Sequence, residues 1–156
     1  MTANRILVTG ASGFPGANLV RRLVSQGEQV SCFVRATSDV SELMRKNCSL
    51  IYGDVVESPA ALFDSIHEFD LVDHLSASTY AVRPGDLVRV NSTGMKNVLD
   101  ACASVHLPPT MVYVSSISAA GPSNGTRPLS EAAPAQADFL LRAMQGILRS
   151  PGQGIF

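Results

Sequence analysis

The chain has 156 residues, 46% hydrophobic and 16% charged, enough for one domain with a buried core. A formal charge of −1 and no basic stripe exclude nucleic acid as an expected partner. The apolar run Ile6-Leu7-Val8 is too short for a signal segment or a membrane span, so a soluble, cytoplasmic protein is expected.

Residues 5–9 (RILVT) are a short apolar run stopped by Gly10, which predicts a strand buried on both faces. Residues 17–26 place Leu19, Val20, Leu23 and Val24 at helical spacing, and Gly27 stops the helix. A second strand is predicted over 29–35, and a short helix capped by Ser38 or Asp39 over 40–46. Residues 49–52 (SLIY) read as a third strand ending in Gly53-Asp54. Pro59 stands near the first turn of a helix reaching about residue 67, where its missing N–H costs little. Residues 70–75 give a fourth strand. Residues 86–105 give the longest helix, with Val90, Val98, Leu99 and Cys102 toward the core. A fifth strand is expected at 110–114. Residues 121–134 are rich in Gly, Pro, Ser and Asn and predict a long surface loop. An amphipathic helix over 135–149 and a frayed end complete the reading. Strands alternating with helices imply right-handed crossovers and an α/β fold with a doubly wound parallel sheet.

Between the first strand and the first helix lies Thr9-Gly10-Ala11-Ser12-Gly13-Phe14-Pro15-Gly16. Gly10 suits a tight turn, Gly13 admits a diphosphate close to the backbone, and Gly16 lets the helix pack closely on the sheet. Ser12 and Phe14 share that loop, and the helix start offers amides and a positive dipole end to phosphate. The bland alternative is a set of ordinary turn glycines. Arg35 ends the second strand where an acidic residue would favour NAD, and a guanidinium there can pair with the 2′-phosphate of NADP. The reading leans to NADP over NAD; an exposed surface arginine is the alternative. Cys32, Cys48 and Cys102 lack CxxC spacing and read as small core residues. His67, His74 and His106 lack metal-ligand spacing, so no metal is assigned and His74 is read as structural.

With these residues in place, the chain resembles the extended short-chain dehydrogenase/reductase family. That group includes sugar-nucleotide epimerases, 3β-hydroxysteroid dehydrogenases and dihydroflavonol-type reductases. TGASGFPG is similar to the family's TGxxGxxG. Gly53-Asp54-Val55 resembles its acidic motif, whose aspartate contacts the adenine amine. His74-Leu75-Ser76-Ala77-Ser78 resembles a segment lining the cofactor, and Asn91-Ser92-Thr93-Gly94 the N-x-x-G that opens the long helix. The stretch from Val114 through Ser115 and Ser116 to Gly121 resembles the segment that supplies the catalytic serine, at Ser116 by distance to Gly121. Pro128-Leu129-Ser130-Glu131 resembles the loop before the active-site helix. Read without the resemblance, Asp54 also suits a strand-end cap, Asn91 a helix cap, and Ser115 and Ser116 ordinary strand-end hydroxyls.

The resemblance implies a Rossmann-type NAD(P)-binding domain over residues 1–134, with an atypical tail over 135–156. It also implies a C-terminal substrate domain that is missing, and a Tyr-x-x-x-Lys pair whose i, i+4 spacing shares one helical face. Tyrosines stand only at 52, 80 and 113, none followed by lysine four residues later. If residues 139–146 are encoded TTC TTA TTA CGG GCG ATG CAA GGA, reading one base later gives Ser-Tyr-Tyr-Gly-Arg-Cys-Lys, with the pair restored. A frameshift or misjoined exon is the expectation drawn from this, an unrelated splice terminus is the bland alternative, and the coding DNA tests it. Three functions compete: a family oxidoreductase or epimerase of impaired catalysis acting on an unnamed small-molecule substrate; a non-enzymatic NAD(P)-binding regulatory or interaction module; and a nonfunctional truncated product.

Overall fold

In the computed structural model, the residues described are 3–78 and 85–116, with Ser123, 128–130 and Ala132. Five strands pair in parallel: β1 (Arg5–Thr9), β2 (Gln29–Val34), β3 (Ser49–Tyr52), β4 (Leu71–His74) and β5 (Thr110–Tyr113). Their order across the sheet is β3-β2-β1-β4-β5. β1 sits in the middle, with Ile6 opposite Val30 on one side and Leu71 on the other. Its apolar run therefore reads as continuous, because both faces are covered.

Alternation along β1 sorts the core into two layers. Ile6 and Val8 pack with Val30, Cys32 and Val34 of β2, beneath Val20 of α1 (Phe14–Ser25) and Leu43 of α2 (Ser41–Met44). Leu7 points the other way, joining Phe33 and Val72. That layer is closed by Leu62 of α3 (Ala60–Ser65), by Ile66 of the 3₁₀ turn Ile66–Glu68, and by Val98 and Ala101 of α5 (Gly94–Ala103). Each fully buried Leu, Ile or Val contributes about 1.5–3 kcal/mol relative to exposure.

The doubly wound α/β sheet is present as expected, with several boundaries shifted. α1 starts at Phe14 rather than Ala17, since Pro15 fits its first turn and the turn itself continues into helix. The predicted 86–105 helix is α4 (Asp86–Val88), a π turn (Arg89–Thr93) and then α5. Val98 and Cys102 are buried as predicted, whereas Leu99 is 46% exposed and belongs to the solvent side. Cys32 and Cys102 are buried and Cys48 is half-buried, all three as free thiols. The predicted 121–134 loop lies mostly, and the 135–156 tail wholly, outside the described residues.

The chain winds outward from β1 through β2 to β3, then returns to β4 on the other side of β1. The reversal leaves a crevice at the carboxyl ends of β1 and β4, where doubly wound sheets receive ligands.

Candidate functional site

Three glycines shape the β1 rim of this crevice. Gly10 has φ +71°, a left-handed conformation that side chains resist. A Cβ there would stand 2.7 Å from the Leu75 carbonyl carbon and the Ser76 nitrogen, so the turn also abuts the chain leaving β4. A Cβ on Gly16 would stand 2.2 Å from the Gly10 carbonyl oxygen and 2.7 Å from the Ala11 Cα; only glycine lets α1 lie this close to the turn. Gly13 differs from both. Its φ of −78° and ψ of 164° suit any residue, and the one neighbour of an added Cβ is the Gly10 oxygen at 3.3 Å. That is a tight contact with a backbone atom, but the fold constrains 13 far less than 10 or 16, where a Cβ would overlap its neighbours. What its missing side chain leaves open is the approach to the start of α1.

The first i→i−4 bond of α1 runs from the Ala17 N–H to the Gly13 carbonyl at 2.9 Å. The amides of Phe14 and Gly16 precede it and have no helical acceptor, and Pro15 contributes no N–H. Ser12 and Phe14 are exposed, Phe14 by 86%. Amides and a positive dipole end thus face an open backbone shelf, which is how helix starts receive phosphate.

Across the crevice, side chains set the geometry. Thr9 Oγ1 lies 2.7 Å from His74 Nδ1 in the interior, and the Ser76 N–H donates to the same oxygen at 3.4 Å. The Leu75 N–H donates to the Thr9 carbonyl at 3.2 Å, and the Val114 N–H to the His74 carbonyl at 3.2 Å. The Tyr113 ring stacks on His74 with centroids 5.9 Å apart. Burial pushes the His74 imidazole down to about 4, so it is neutral near pH 7. Its Nε2 is buried and unpartnered. His74 is therefore a structural group joining β1 to β4.

At the β3 rim, Asp54 Oδ1 accepts from the amides of Val56 at 2.7 Å and Glu57 at 3.1 Å, forming a turn closed by Ser58. Val55 is buried against Gly94, where a Cβ would meet its Cγ2 at 2.9 Å. Asn97 Nδ2 donates to the Val55 carbonyl at 2.7 Å. Arg89 forms an ion pair with Glu57 of the same turn. Asn91 lies inside the π turn instead of capping a helix. It spans Ser78 on both sides, Oδ1 accepting from the Ser78 N–H at 2.7 Å and Nδ2 donating to its carbonyl at 2.9 Å.

Because the strands are parallel, the segments that follow them share the carboxyl edge of the sheet. Arg35 follows β2, is exposed, and takes part in none of the ion pairs among the described residues. Leu75 and Ser76 follow β4 half-buried, with Ala77 exposed, and Ser115 and Ser116 follow β5 at the surface. Thr9 and Asn97 were not singled out from sequence. The signal for Asn97 was a polar residue three positions after Gly94 and one before Val98, next to the helix's core-facing side. A cavity of about 610 Å³ opens at the opposite, amino-terminal edge, lined in part by Arg5, Gln29, Asn47 and Cys48; it is remote from the crevice. Among the described residues, no group of three ligating side chains gathers, and no helix is long and apolar enough to cross a membrane.

The model of the NAD dependent epimerase/dehydratase family matches residues 6–139. The chain is 37% identical over 112 residues to 2-alkyl-3-oxoalkanoate reductase of Stenotrophomonas maltophilia, covering 71% of this chain and 33% of that protein. It is 34% identical over 118 residues to sterol demethylase protein B of Methylococcus capsulatus, covering 74% and 35%. The crystal structure of UDP-glucose 4-epimerase from Brucella ovis in complex with NAD matches with TM-score 0.74 and 25% identity, over 92% of this chain and 46% of that one. The chain thus spans about a third of the length of these curated relatives and about half of that solved structure.

Proposed function

The chain belongs to the NAD dependent epimerase/dehydratase family, and on that premise we propose that it binds a nicotinamide dinucleotide with the diphosphate over the Gly10–Gly13–Gly16 turn. The observation that carries this reading is Gly13, in ordinary extended backbone and far less confined by the fold than Gly10 or Gly16, at the mouth of a helix start with unpaired amides. The residues present suit such a group. Gly10, Ser12, Gly13, Phe14 and Gly16 would hold the diphosphate. The adenosine half would lie over the ends of β2 and β3, toward Arg35, Asp54 and Val55. The nicotinamide half would lie toward Leu75, Ser76, Ala77, Ser115 and Ser116, with Asn91 acting through Ser78. Arg35 favours NADP, since it is exposed and unpaired beside the place the adenosine ribose would take.

When bound, the nicotinamide supplies hydride transfer. Ser116 would orient a substrate oxygen, while the proton-transferring Tyr-x-x-x-Lys pair has no counterpart in the sequence. Tyr113 is no substitute: it lies in β5 against His74, and Ile117 stands four residues later. On this reading the chain binds cofactor and, without that pair, turns over poorly or not at all. The same missing pair supports a second reading, a non-enzymatic NAD(P)-binding regulatory or interaction module. Titrating NADPH and NADH by fluorescence tests the first claim, and no saturable uptake of either would end it. Turnover of steroid, flavonoid or nucleotide-sugar substrates would rule out the second reading.

A further inference from the structure

One helix reaches both sides of the crevice, and its two asparagines hold different walls. Asn91 grips Ser78 after β4, while Asn97, six residues on, grips the Val55 carbonyl after β3 at 2.7 Å. Four further contacts tie the β3 wall to this helix or to itself. Gly94 is seated against Val55, Arg89 pairs with Glu57, and Asp54 accepts from Val56 and Glu57. The Asn97 amide is half-buried, and the Asp54–Ser58 turn it holds lies at the carboxyl end of β3. In a doubly wound sheet with phosphate at the β1 turn and ribose at the end of β2, the base lies beyond, toward β3.

We propose that Asn97 is a positioning residue that sets the adenosine wall of the crevice by fixing the Val55 carbonyl, whereas Asn91 sets the opposite wall. The inference rests on the dinucleotide reading. It deepens that reading by dividing the two halves of the ligand between two side chains of one helix. A hydrogen bond that only stiffened the domain would affect both halves alike; one that positions the β3 turn acts on the adenosine half.

The test uses the full 156-residue chain, with ADP as probe of the adenosine half and NADPH as the whole ligand. Asn97→Asp keeps the shape and removes the donor. It is expected to weaken ADP and NADPH by the same factor, about three- to tenfold, as loss of one hydrogen bond implies. Asn91→Asp is expected to weaken NADPH and leave ADP within error. Unchanged ADP affinity in Asn97→Asp would overturn the proposal, as would equal ADP losses in both variants. Hydrogen exchange on the wild-type chain keeps the proposal testable if a variant does not fold. ADP should slow exchange at Val56 and Glu57 and leave Ser76 and Ser78 unchanged, and uniform slowing would overturn it. A wild-type chain that takes up neither probe would instead sink the dinucleotide reading, and this role with it.

Discussion

On the β1 side of the crevice the backbone itself makes the shape, with Gly10 at φ +71° and Gly16 under the Gly10 carbonyl. On the β4 side the shape comes from side chains, as Thr9 joins His74 and Asn91 joins Ser78. The first device tolerates no added atom, because its neighbours are backbone and cannot move aside. The second tolerates changes of residue that keep donors and acceptors in place, and it responds to protons. A single crevice thus has one rim governed by sterics and one by polar chemistry.

The largest expected effect breaks the steric rim. Gly16→Ala puts a methyl group 2.2 Å from the Gly10 oxygen, and should cost about 3 kcal/mol or more in urea unfolding. The polar rim should reveal itself in acid. His74 ionises at about 4 in the folded chain against 6.5 ordinarily, so the unfolded chain takes up the proton first. Stability therefore falls as pH drops from 6.5 to about 4 and levels off below, a loss on the order of 3 kcal/mol. Burial pushes the Asp73 carboxyl up, which acts in the opposite sense, so the difference between wild type and His74→Asn isolates the imidazole. No difference in acid slope between the two would refute this.

Gly13→Ala sharpens the contrast within the steric rim. Its added Cβ meets only the Gly10 oxygen, at a tight 3.3 Å, so the melting temperature should fall far less than in Gly16→Ala. Dinucleotide affinity should nonetheless fall by about 2 kcal/mol, the scale of an overpacked contact. Equal binding by wild type and variant would show that Gly13 faces no ligand. Arg35→Ala should act least, weakening NADPH about tenfold and NADH hardly at all, as loss of one exposed charge-assisted contact implies. Equal loss of both cofactors would remove the NADP preference.

The steric rim was legible in the sequence because it depends on residue type alone. Gly10 and Gly16 announce their roles wherever a strand meets a helix. The parallel, doubly wound sheet followed from the alternation of strands and helices, and the burial of β1 from its unbroken apolar run, but the strand order did not. The polar rim was much less legible. Asn91 was read as a helix cap or cofactor contact, since nothing local shows that a π turn at Arg89–Thr93 aims it at Ser78, thirteen residues away. Thr9 passed as one more residue of β1, and its tie to His74 exists only once β4 lies beside β1. Leu99 was misplaced for a related reason: a small error in helical phase across a π turn rotates a residue out of the core.

The bond pair between Asn91 and Ser78 joins two positions thirteen apart in the chain. The entropy of bringing those two positions together is therefore spent when the domain folds. A dinucleotide bound as proposed would meet, at the β4 wall, a Ser78 held by Asn91, so that more of its contact energy would survive as affinity.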